Sequence, residues 1–182
     1  VTIKRILSAD REASLLHWLR AVDGVPGAVA ECGVYCGSTL RMLAKAAPDR
    51  RAWGFDTFTG LPAAMWSAGE VHQPGDFADT SFDAVRAALV DCPNVKLVRG
   101  EFPASTARVS LDGERFAFVH LDFDFYESTR RALDWLLPRM SPGGVIVFDD
   151  YEWHRCPGVK RAIDEMGLVV ERTVTHQAVW RA

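Results

Sequence analysis

The sequence has no block of lysine and arginine, no apolar run near the roughly 18 residues of a membrane span, and no signal-peptide pattern at its front. The first absence removes the footprint of a nucleic-acid binder, because phosphate recognition depends on clustered basic side chains. A net charge of −3 and a pI near 6.0 agree. The other two leave no membrane partner, and the expected location is the cytoplasm. Cysteine is scarce. Of Cys32, Cys36, Cys92 and Cys156, only the first two are close, and their spacing is not that of a zinc site, so free thiols in a reducing compartment are expected. Repeats and low-complexity tracts are missing as well. What is there is 182 residues, one domain's worth, able to bury about 70% of its unfolded surface without staples. The chain starts at Val1 rather than Met, so a native and a trimmed front end both stay open.

Asp10 to Val22 reads as an amphipathic helix, since Leu15, Leu16, Trp18, Leu19 and Val22 recur near helical spacing and Ser8 or Asp10 can cap its start. After a break at Gly24–Gly27, Ala28 to Cys32 is a short apolar strand leading through a glycine turn to a helix from about Ser38 to Ala47. Ala52 to Phe55 is a second strand, ending at Asp56. Residues 57–79 carry glycines, prolines and aromatics without periodicity, and loops of that length are usually functional. With Trp66, His72 and Phe77 the segment reads as a flap over a ligand.

Thr80 and Asp83 form a capping box for a helix to about Val90, Val95 to Val98 is a third strand, and Pro103 opens one helical turn. Phe116 to Leu121 is nearly all apolar, as a strand buried on both faces should be. Thr129 to Leu137 crosses over as a helix, and the turn Ser141-Pro142-Gly143-Gly144 feeds a fifth strand. Val159 to Met166 is another helix. Leu168–Glu171 and Ala178–Trp180 close a hairpin around Thr175-His176-Gln177. The alternation implies an α/β fold in a single domain over residues 1–182, a doubly wound, Rossmann-like, mostly parallel seven-stranded sheet with an antiparallel C-terminal edge hairpin.

Two apolar runs end in carboxylates: Val119-His120-Leu121-Asp122-Phe123-Asp124 and Val145-Ile146-Val147-Phe148-Asp149-Asp150. Strand ends of an open parallel sheet face the crevice where ligands bind, so four aspartates would share one cleft. Two like charges 4 Å apart repel by about 4 kcal/mol at an effective dielectric near 20. Shared protons, an Arg or Lys in the cleft, or a divalent cation would offset this, and the cation is the expectation. His120 sits one pleat below Asp122 and reads as a hydrogen-bonded core residue. His154, on the loop after Asp150, is a candidate base or acceptor contact.

Glu31-Cys32-Gly33-Val34-Tyr35-Cys36-Gly37-Ser38-Thr39 occupies the first strand-to-helix turn, where glycines admit a ligand and helix amides attract its anionic end. The G-x-x-x-G spacing departs from the dinucleotide pattern. Asp56, at the end of the next strand, is placed to accept bonds from both hydroxyls of a ribose.

Acid-x-Gly-x-x-x-Gly with an acid after the second strand resembles the class I S-adenosylmethionine-dependent methyltransferases. Three further motifs, Gly54-Phe55-Asp56-Thr57-Phe58-Thr59-Gly60-Leu61-Pro62, Leu121-Asp122-Phe123-Asp124-Phe125-Tyr126-Glu127-Ser128-Thr129 and Phe148-Asp149-Asp150-Tyr151, resemble the macrocin O-methyltransferase family, which methylates sugar hydroxyls of natural products. The resemblance implies S-adenosylmethionine contacts at Glu31, Gly33, Tyr35, Gly37, Ser38, Thr39, Asp56, Thr57, Glu101 and Asp122. It also implies magnesium, or another divalent cation, on Asp122, Asp149 and Asp150, with Asp124 as general base and Asp122 beside it. The implied partner is a small hydroxylated acceptor. Few residues precede Ala28 compared with the family, and a smaller or more open acceptor site is the expectation.

Three other readings stand beside this one. A phosphotransferase with Asp122 as nucleophile is disfavoured because Phe125-Tyr126 follows the Asp-x-Asp. A non-catalytic S-adenosylmethionine-binding domain gains nothing from clustered repulsion, and a catechol-type methyltransferase shares fold and chemistry. Monomer and homo-oligomer both remain open.

Overall fold

Ala28–Cys32 (β1) and Phe116–Leu121 (β4) are buried along their whole length, as strands covered on both faces must be. In this computed structural model, which describes residues 6–174 and 176–182, they lie side by side at the centre of a seven-stranded sheet. Its other strands are Ala52–Asp56 (β2), Val95–Arg99 (β3), Met140–Phe148 (β5), Glu171–Arg172 (β6) and Ala178–Arg181 (β7), in the order β3-β2-β1-β4-β5-β7-β6. The first five are parallel neighbours. β7 runs antiparallel between β5 and β6, so the antiparallel partner of the parallel block is β7, and β6 forms the outer edge.

Alternation along the strands divides the core in two. Ala30, Cys32, Phe55, Val119, Leu121 and Phe148 pack under the helices Tyr126–Leu136 (α4) and Pro157–Glu165 (α5). Val29, Phe118, Val147 and Val179 face the helices Ala9–Ala21 (α1), Ser38–Ala46 (α2) and Phe82–Ala88 (α3). Each large apolar side chain buried this way contributes about 1.5–3 kcal/mol. Among the described residues no helix is long and apolar enough to cross a membrane.

Several boundaries differ from the sequence expectation, each for a local reason. Ser81, not Thr80, caps α3: its Oγ accepts from the Ala84 amide at 3.2 Å, while the Thr80 hydroxyl donates to the Tyr35 carbonyl at 2.9 Å. α4 starts at Tyr126 rather than Thr129, because Glu70 Oε1 accepts the Tyr126 amide at 2.7 Å and caps the helix from outside. The turn expected at Ser141–Gly144 is the opening of β5, where Met140 pairs with Phe116 and the Ser141 hydroxyl bonds the Pro26 carbonyl. The first hairpin strand is confined to Glu171–Arg172, since Leu168 and Val170 pack onto the core instead. Thr175, placed at the expected hairpin tip, lies outside the described residues.

Candidate functional site

β1 and β4 are the central neighbours from which the strand order departs in both directions, and the crevice above their ends is where ligands bind in such sheets. Gly33 (φ +94°) and Asp122 follow these two strands. A Cβ on Gly33 would sit 1.8 Å from the Asp122 carbonyl oxygen, so only glycine lets the strand ends approach this closely. Asp56, beyond β2, holds the glycine turn. Its Oδ2 accepts the Val34 and Tyr35 amides at 2.7 and 2.8 Å, and its Oδ1 accepts the Phe58 amide at 2.6 Å. A carboxylate offers about four lone-pair positions. Three are used by the backbone, and the Thr57 hydroxyl lies 3.5 Å from Oδ1, so a ribose held by Asp56 would share this carboxylate with the turn.

The turn leads to Gly37 at the N-cap of α2, where no side chain caps the helix, and the first turn at Ser38 and Thr39 faces the cavity. Gly37 itself does not line the cavity, contrary to expectation. Its backbone has φ +83°, and its α-carbon backs onto Val85 of α3, which leaves its part in the turn to close packing. Beneath the turn Glu31 Oε1 lies 3.1 Å from His120 Nδ1, both side chains fully buried, as the core reading of His120 requires. Burial pushes Glu31 up, with His120 pulling back, and its Oε2 is buried without a partner. Burial opposes charge on His120, yet Glu31, Asp149 and Asp150 hold its pKa above the ordinary value.

The four aspartates do converge. Ring or carboxylate atoms of His120, Asp122 and Asp149 lie within 4.8 Å of one another, and so do oxygens of Asp122, Asp124 and Asp150. Asp124 and Asp150 take left-handed backbone, φ +59° and +56°, as the chain leaves each strand. Burial, then the charges of Asp149, Asp150 and Asp124, push Asp122 well above the carboxylate range. Burial, then Asp150, raises Asp124 to about 7. Asp150 is raised too, by burial and Asp149, with Arg11 pulling back.

Arg11 is a finding that residue types and periodicity did not supply. From α1 it places Nη1 2.8 Å from Asp149 Oδ2 and Nη2 3.1 Å from Asp150 Oδ1. Gln177 Nε2 donates to the other oxygen of Asp149 at 2.9 Å, so both oxygens of that carboxylate are engaged by protein. The cation in the cleft is therefore, in part, a guanidinium.

These groups share one cavity of about 270 Å³, near the lower end of the roughly 300–1,000 Å³ common for small-molecule sites. Its wall includes Glu31, Gly33, Tyr35, Ser38, Thr39, Asp56, Thr57, Glu101, Asp122, Asp124, Asp149 and Asp150 from the sequence reading, with Arg11 and Trp153 added. His154 is not in it. Trp153 donates its amide to the Asp150 carbonyl at 3.0 Å, and Asp150 and Glu152 are both left-handed, so the chain turns Trp153 inward and leaves His154 exposed. The aromatic after the carboxylate pair was the available signal. Segment 57–79 covers part of the mouth: Gly60, Leu61, Pro62 and Phe77 line the cavity, Tyr35 donates to Asp79 at 2.7 Å, and Trp66 points away into solvent.

Comparison with known proteins places this architecture. The pattern of the family described as Macrocin-O-methyltransferase (TylF) matches residues 13–174. The chain is 34% identical to the 8-demethyl-8-(2,3-dimethoxy-alpha-L-rhamnosyl)-tetracenomycin-C 4'-O-methyltransferase of Streptomyces olivaceus, over 74% of this chain and 56% of that protein. It is 33% identical to the mycinamicin III 3''-O-methyltransferase of Micromonospora griseorubida, over 88% of this chain and 68% of that one. Among solved structures, the O-methyltransferase NovP superposes with a TM-score of 0.81 at 26% identity, covering 94% of this chain and 79% of that one. The chain thus spans a little over half the length of the first relative. With the match running across nearly all the described residues, the chain belongs to the macrocin-O-methyltransferase family.

Proposed function

We propose that this chain transfers a methyl group from S-adenosylmethionine to a hydroxyl of a sugar-bearing or related natural product. The observation that carries this reading is that one cavity is lined by both the glycine turn and the carboxylate cluster. Seven carboxylates and one arginine line it, a field that attracts a donor whose sulfonium and ammonium outweigh its single carboxylate. The residues fit that donor. The uncapped amides of α2 suit its carboxylate, and the orphan Glu31 Oε2 suits its ammonium. Relatives named as sugar O-methyltransferases support the acceptor class.

The methyl group passes from sulfur to the acceptor oxygen, leaving a thioether, while the oxygen's proton goes to Asp124. A base with a pKa of about 7 is matched to neutral operation. Phe123 and Trp153 wall the cavity beside Asp124 and limit water. Holding both reactants in line accounts for about 7–11 kcal/mol of barrier reduction. Arg11 fixes Asp149 and Asp150, so the acceptor meets a rigid wall.

Oxygens of Asp122 and Asp150, which lie within 4.8 Å of one another, also fit a hard cation of the magnesium type, because their repulsion calls for positive charge; Asp149, the third ligand expected from the sequence, is engaged by Arg11 and Gln177, and Asp124 is kept as the base. Such an ion, when bound, would acidify and orient the acceptor hydroxyl. The test is isotope-labelled methyl transfer to a panel of glycosides and catechols, before and after chelation. Labelled glycoside is expected. No labelled product on any acceptor would overturn the reading, and undiminished turnover after chelation would remove the metal from it.

A further inference from the structure

Asp124 also belongs to a second cluster, of different chemistry. A ring nitrogen of His72, a carboxylate oxygen of Asp124 and the sulfur of Cys156 all lie within 4.8 Å of one another. His72 is 5% exposed and Cys156 1% exposed. His72 Nδ1 lies 3.1 Å from Asp76 Oδ2, while Nε2 is buried with no partner. That is the usual condition of a metal-binding imidazole: a carboxylate behind it fixes the tautomer and leaves the other nitrogen's lone pair free. A buried imidazole nitrogen without a hydrogen-bond partner is costly, and an ion removes the cost.

The geometry points to a binding site for a borderline divalent metal of the zinc or cobalt type, formed by His72, Asp124 and Cys156. Imidazole and thiolate select such ions, whereas carboxylates alone, such as Asp122 with Asp150, select a hard one. Distances agree. Metal–sulfur and metal–oxygen bonds of about 2.3 and 2.1 Å at a tetrahedral angle put sulfur and oxygen about 3.6 Å apart. Cys156 Sγ lies 3.3 Å from Asp124 Oδ1, so this pair needs to part by only a few tenths of an ångström, with His72 within 4.8 Å of both. On binding, the thiol releases its proton to solvent as the sulfur–metal bond forms. The fourth position faces Asp150 Oδ2, 3.5 Å from the sulfur, or a water.

Occupation also withdraws Asp124 from proton transfer, so zinc inhibits turnover. This last clause rests on the methyl-transfer reading, whereas the binding does not.

The experiment is a cobalt(II) titration of the full chain, following thiolate-to-cobalt charge-transfer absorption in the near ultraviolet. One saturable band is expected, lost in Cys156→Ser and retained in Cys36→Ser. Because substitution of a buried residue can unfold the chain, Asp76→Ala supplies a partly exposed variant, with cobalt affinity expected to fall about 10- to 100-fold through loss of the carboxylate behind His72. In a parallel assay, Cys156→Ser raises the zinc concentration for half inhibition at least about tenfold, as expected when a metal ligand is lost. Absence of the band, or its loss only in Cys36→Ser, overturns the site. Cobalt binding without methyl transfer to any acceptor overturns the functional reading and leaves the site standing.

Discussion

Arg11 and Asp149 are 138 residues apart in sequence and 2.8 Å apart in space, joining the first helix to the tip of β5. Removing the guanidinium leaves two carboxylates, 2% and 6% exposed, without their cation. Arg11→Met is expected to destabilise the chain by about 3 kcal/mol in urea unfolding. Magnesium should restore more stability to the variant than it adds to the parent. Equal effects of magnesium on both would show that guanidinium and metal do not share the carboxylates.

Asp124, raised to about 7, governs both rate and stability with opposite pH slopes. As a base it must be ionised, so kcat/KM is expected to fall about tenfold per pH unit below about 7. Asp124→Asn should abolish that limb and cut turnover by about 10²- to 10⁴-fold with donor affinity retained. For stability the sign reverses. Between about pH 4 and 7 the folded chain holds a proton on Asp124 that the unfolded chain has lost, so this group's contribution is full at low pH and declines as pH rises. The ligand-free Asp124→Asn variant should therefore show a smaller loss of Tm than the parent on going from pH 5 to 7. A parallel pair of melting curves would refute the shift.

Gly33→Ala places a methyl group where the Asp122 carbonyl already is. The two central strand ends would have to separate, at a cost of about 4 kcal/mol or more. Loss of soluble expression, or of donor binding by calorimetry, is the expected result. A variant that binds donor normally would contradict the close approach.

Trp153 and His154 separate cavity wall from rim. Trp153→Ala should raise the acceptor KM about tenfold, the equivalent of about 1.4 kcal/mol of lost contact. His154→Ala should leave turnover within about twofold and stability within about 0.5 kcal/mol. The opposite pattern in steady-state kinetics would return His154 to the mechanism.

The fold was legible where the physics is local. Buried parallel strands need unbroken apolar runs, and Phe116–Leu121 showed one with its true limits. The carboxylates were legible because strand ends point to the crevice. The family motifs pointed to further residues around the glycine turn, of which Gly37 turns out to back onto α3. What stayed hidden depends on distant partners or on backbone handedness. Nothing near Arg11 announces Asp149. The α4 start at Tyr126 depends on Glu70, which lies in a segment without periodicity. Thr80 and Ser81 are both good caps, and only the Tyr35 carbonyl decides between them. The inward turn of Trp153 follows from left-handed Asp150 and Glu152, conformations that no pattern of residue types signals.

Glu70 has one more implication. Its carboxylate is fastened to the start of α4 and wedged beside Gly158, where even a methyl group would come within 2.5 Å of its oxygen. The covering segment is thus riveted near its midpoint and cannot swing while that fastening holds. Its two halves are also clasped to each other, the Leu61 amide donating to the Asp76 carbonyl and the Gly75 amide to the Leu61 carbonyl, both at 2.9 Å. Amide hydrogen exchange should show residues 57–79 protected as one unit, with Glu70→Gln making its opening more frequent. Donor and acceptor would then share one opening, loading only while that fastening is released.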